Sequence, residues 1–103
     1  MEYALNGVSP EVISALRMSV YCMPAGRSLV FWRIRMSGLN RQFWDEDFEA
    51  LLRRQIIYAW RISPQMLART AVETDMEGLA RQVLSRSPED LQRFEELAGA
   101  VSR

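Results

Sequence analysis

Two neighbouring stretches hold the residues whose types and spacing could do chemistry. Asp45, Glu46, Asp47 and Glu49 crowd four acids into five positions. Such a cluster can seat a hard cation through its oxygens, or supply a general acid and base. On a helix, at 100° per residue, Asp45 and Glu49 share a side while Glu46 and Asp47 point elsewhere. The better reading is a helix N-terminus whose dipole favours negative charge. Nucleophilic chemistry is poorly served. The chain has no histidine, which excludes Ser–His and Cys–His pairs and histidine metal sites. Its five glycines are scattered and form no phosphate loop. Cys22, the sole cysteine, lacks an activating neighbour and reads as a small packed hydrophobe. No catalytic, metal or cofactor residue is assigned, and a non-enzymatic protein with no small-molecule substrate is expected.

The second stretch is basic. From Val12 to Trp44 there is no acid, but Arg17, Arg27, Arg33, Arg35 and Arg41 alternate with Phe31, Trp32, Phe43 and Trp44. Arginine interleaved with stacking aromatics is what single-stranded nucleic-acid surfaces use. Arg27, Arg33, Arg35 and Arg41 are therefore the candidate contacts if nucleic acid is the partner. Charge is also segregated: nine arginines face four acids over residues 17–72, and seven acids face four arginines over residues 73–103. The plainer reading makes the aromatics core and the arginines a rim, solvated or paired with the acidic last helices. Residues 63–86 resemble a helix-turn-helix in spacing only. The second of those helices opens with acids that phosphate would repel.

A chain of 103 residues suits one domain with a single core, without metal or disulfide staples. Apolar content of 49% and charged content of 25% are ordinary globular values. Zero net charge removes any global pull toward nucleic acid or an acidic membrane. One cysteine and no apolar leader point to a reducing, cytoplasmic home. No window approaches the ~20 apolar residues of a membrane span, so no membrane partner is expected. All thirteen basic residues are arginine; codon bias in a GC-rich bacterial or phage genome accounts for that more simply than a recognition role.

The positioning elements read as helices. Ser9-Pro10, Ser63-Pro64 and Ser87-Pro88 each spell an N-cap serine followed by proline at the first helical position. Val8 is placed to staple onto Ile13, and Ile62 onto Leu67. Helix one is expected over residues 10–23, with Val12, Ile13, Leu16 and Val20 inward and Pro24-Ala25-Gly26 ending it. Residues 28–37 fit either a strand or a helix. A strand would need an edge to pair with, and only Glu2–Leu5 offers one. The helical reading is preferred, capped by Ser28 and closed by a Schellman turn at Ser37-Gly38-Leu39. Thr74-Asp75-Met76-Glu77 spells a capping box separating a fourth helix from a fifth, and a sixth follows Pro88. The expected fold is all-α: a compact bundle of five to six short helices over 1–103.

The chain is organised around Gln42–Ile62. There Trp44, Phe48, Leu51, Tyr58 and Ile62 make one stripe, with Leu52 and Ala59 at its edge. Ile56, Ile57 and Trp60 leave that stripe and need a second cover, either the 28–37 segment or another molecule. Phe31, Trp32, Ile57 and Trp60 are accordingly the candidate partner-binding anchors. Six methionines and ten aromatics suit an adaptable binding surface or simply a core. The function expected from sequence is protein–protein contact, as an adaptor, a masking regulator or a subunit of a homo-oligomer or larger assembly. A small nucleic-acid-binding regulator is the alternative.

Overall fold

The computed structural model describes residues 9–23 and 27–102; the side chains of Arg27, Ser28 and Ser102 are outside that description, as are the Val8 staple, the Glu2–Leu5 run and the Pro24-Ala25-Gly26 stop. The described residues form six α-helices and no strand. They are α1 (Pro10–Cys22), α2 (Arg27–Leu39), α3 (Glu46–Ile62), α4 (Pro64–Glu73), α5 (Glu77–Leu84) and α6 (Pro88–Ser102), with a single 3₁₀ turn at Arg41–Phe43. The ambiguous 28–37 segment is thus helical. A radius of gyration of 13.4 Å is that of a tightly folded chain of this length.

Each expected Ser-Pro start is a real helix start, but the caps differ. Ser63 Oγ accepts from Met66 N at 3.2 Å, and Ser87 Oγ accepts from Asp90 N at 3.4 Å. Ser9 makes no side-chain cap. Instead its backbone N–H donates to Asn40 Oδ1 at 2.8 Å, so it ties the start of α1 to the end of α2. The N-cap of α3 is Asp45, whose Oδ1 accepts from Phe48 N at 2.8 Å.

Two turns close differently from the sequence reading. Gly38 lies inside α2 rather than ending it in a Schellman turn. It is needed for close approach, since a Cβ there would stand 2.8 Å from Met76 Sδ and 2.9 Å from Thr74 Cβ. The Schellman motif is at the end of α4. Asp75 takes the left-handed conformation (φ 57°), Met76 N donates to Ala71 O at 2.8 Å and Asp75 N to Val72 O at 3.4 Å. Thr74 Oγ1 donates back to Thr70 O at 2.7 Å, so the expected capping box does not form and α5 starts without a side-chain cap. The motif was legible, but the residues close the preceding helix instead of opening the next.

The inner face of α3 is Phe48, Leu52, Gln55, Ile56 and Ala59. That centre is rotated by roughly 70° from the expected stripe of Trp44, Phe48, Leu51, Tyr58 and Ile62, with which it shares Phe48, judged at 100° per residue. Ile56, expected to face outward, is core at 1% exposure. The correction has a tertiary cause: α3 is contacted by α1, α2, α4 and α5, so no single narrow stripe describes its buried side. Phe94 and Ala98 of α6 and Leu67, Ala68 and Ala71 of α4 complete the core, the alanines letting these two helices pack closely.

Candidate interaction surface

A buried polar site holds α1, α2 and α3 together and so orients what they show to solvent. Val30, Arg33, Ile34 and Ser37 follow the i, i+3, i+4, i+7 rule and all are buried, so the inward face of α2 is half polar. Arg33 is 1% exposed. Its Nε donates to Ser19 Oγ at 3.0 Å, its Nη2 to the Ser19 carbonyl at 2.8 Å and its Nη1 to Gln55 Oε1 at 3.0 Å. One guanidinium therefore joins three helices and sits on a carbonyl of the last turn of α1, where a cation suits the dipole. Burial lowers its pKa from the usual arginine value. The same face continues through Ser37 Oγ, which donates to Arg33 O at 2.6 Å, and Trp44 Nε1, which donates to Ser37 O at 2.9 Å.

These bonds also fix the direction of the first two helices. Ser9 meets Asn40 and Ser19 meets Arg33, so α1 and α2 run antiparallel. Beyond Glu11, α1 exposes mostly uncharged side chains, whereas α2 exposes Arg35 one turn from Trp32. From Ser14 to the end of α1 the solvent-exposed positions are Ser14, Ala15, Met18, Tyr21 and Cys22. Met18 and Tyr21 are 62% and 63% exposed, and Met23 just beyond the helix is exposed as well. Trp32, one residue before the arginine that grips Ser19, is exposed on α2 at the same level. Cys22 is also exposed, which corrects its reading as a packed hydrophobe: it lies off the Ile13–Leu16–Val20 stripe.

The sequence-derived anchors divide. Trp32 faces solvent, whereas Phe31, Ile57 and Trp60 are half-buried and pack against the core. Trp60 has Phe94 of α6 as its ring neighbour, with centroids 6.4 Å apart. It leaves α3 roughly 140° round from Gln55, the residue that reaches α2. Trp32 and Trp60 thus belong to different sides of the bundle, and α6 supplies part of the second cover that α3 required. Met18, Tyr21 and Met23 were missed by sequence reasoning. The signal for them was present, since an outer helix face mostly without charge is itself abnormal.

The nucleic-acid candidates fare differently. Arg33 is inside and unavailable to a phosphate. Arg35 pairs with Glu73 at 2.9 Å, and Arg41 with Asp75 at 3.7 Å while also donating to the Thr74 and Asp75 carbonyls. Arg41 lies over the Trp44 ring, 5.8 Å from its centroid. Arg17, the remaining described arginine of this stretch, makes a 2.8 Å ion pair with Asp45. Hydrogen bonds from Phe48 N and then from Arg17 hold the Asp45 carboxyl below the usual carboxylate range. Arg17, Arg35 and Arg41 are tied to acids of the same chain. The plainer sequence reading fails for Arg33, which is core rather than rim, and for Trp32, which is exposed rather than core. The carboxylates at 45–49 act as a cap and as ion-pair partners, and among the described residues no cluster of metal-ligating side chains forms.

Two concave places complete the surface. A groove of about 590 Å³ between α4 and α6 is lined by Met66, Leu97, Ala100 and Val101, with Gln65, Arg69 and Glu73 at its polar side. A smaller one, about 270 Å³, lies where Arg41 and Trp44 approach Asp75 and the start of α5. No helix of the described residues is long and apolar enough to cross a membrane. No known protein family, curated protein or solved structure matches the chain.

Proposed function

We propose that this protein works by non-covalent contact with another protein chain, through the outer faces of α1 and α2. The observation that carries the reading is the exposure of the large apolar side chains Met18, Tyr21, Met23 and Trp32, on two helices locked together by the buried Arg33. Exposed aromatic and methionine side chains on a rigid pair of helices are what the centre of a protein interface is made of. The role is that of an adaptor, a masking regulator or an assembly subunit, not an enzyme. Recognition of nucleic acid through Arg27, Arg35 and Arg41 is the less supported reading, because the intramolecular partners of Arg35 and Arg41 would have to be given up first.

The test is side-chain oxidation by hydroxyl radicals in the cells that make the protein. Met18, Tyr21 and Trp32 are expected to be protected relative to Met66, which is similarly exposed on α4. Oxidation of all four at the rates of free side chains would count against the reading.

A further inference from the structure

We draw no further inference here: the strongest candidate, the groove of about 590 Å³ between α4 and α6 lined by Met66, Leu97, Ala100 and Val101, is an open apolar face, and nothing in the structure shows what covers it.

Discussion

Arg33 shows how one residue can hold an arrangement that its neighbours only permit. A guanidinium at 1% exposure is a costly inhabitant of a core unless its donors are used, and here Ser19 and Gln55 use them. Arg33→Ala should cost about 3 kcal/mol in urea unfolding, because it removes the charge-assisted bonds that join α2 to Ser19 of α1 and Gln55 of α3 inside the protein. Arg33→Lys should not restore that loss, since a point ammonium cannot reproduce the planar fork spanning α1 and α3. Asp45 gives a pH dependence with a definite sign. Its folded pKa is depressed, first by the Phe48 N–H and then by Arg17. The stability it contributes is therefore fully present above the unfolded value of about 3.9 and is lost as pH falls below it. Asp45→Asn keeps an oxygen for the cap but loses the charge. Its melting temperature should consequently drop less than that of the native chain between neutral pH and about pH 3.

Glycines and caps act at the scale of the helix, where neighbouring packing sets the sign of a substitution. Gly38→Ala would gain helix propensity but drive a methyl into Met76 Sδ and Thr74 Cβ, so a net loss of about 1–2 kcal/mol is expected. Gly78→Ala and Gly99→Ala meet nothing within 4 Å and should stabilise by about 0.5–1 kcal/mol each. Thermal melts of the three variants check the contrast. Asp75 holds a left-handed backbone that costs a non-glycine residue about 1 kcal/mol. Its side chain is 91% exposed and its ion pair with Arg41 is long, at 3.7 Å, so little opposes the gain from Asp75→Gly. Ser63→Ala should lose about 1 kcal/mol with its cap to Met66 N, whereas Ser9→Ala, which has no such bond to lose, should lose less.

For the whole molecule, the question is how α3 is covered. α2 takes the side reached by Gln55, while α6 brings Phe94 to Trp60. Trp60→Ala should therefore lower stability by about 2 kcal/mol, less than for a fully buried tryptophan. Thermal melting of the variant checks it. The same layout pairs part of the segregated charge within the chain. Arg35–Glu73 and Arg41–Asp75 draw the basic segment onto the α4 end, and Arg81–Glu95 closes α5 on α6.

What the sequence determined by itself was local. Each Ser-Pro pair started a helix, because proline's missing amide and fixed φ act within one turn. The acids at 45–49 could be read as a helix N-terminus, and Ile13, Leu16 and Val20 as an inner stripe, for the same reason. Only the tertiary structure decided which side of α3 is inner, because its buried side follows the several helices that contact it rather than one helical stripe. It alone turned Thr74–Met76 into the end of one helix instead of the start of the next, since Met76 N bonds back to Ala71 O as its side chain is buried. It also placed Arg33 in the core and left Met18, Tyr21 and Cys22 outside. Helical spacing names the residues that share a face, but burial of that face depends on which helices arrive to cover it.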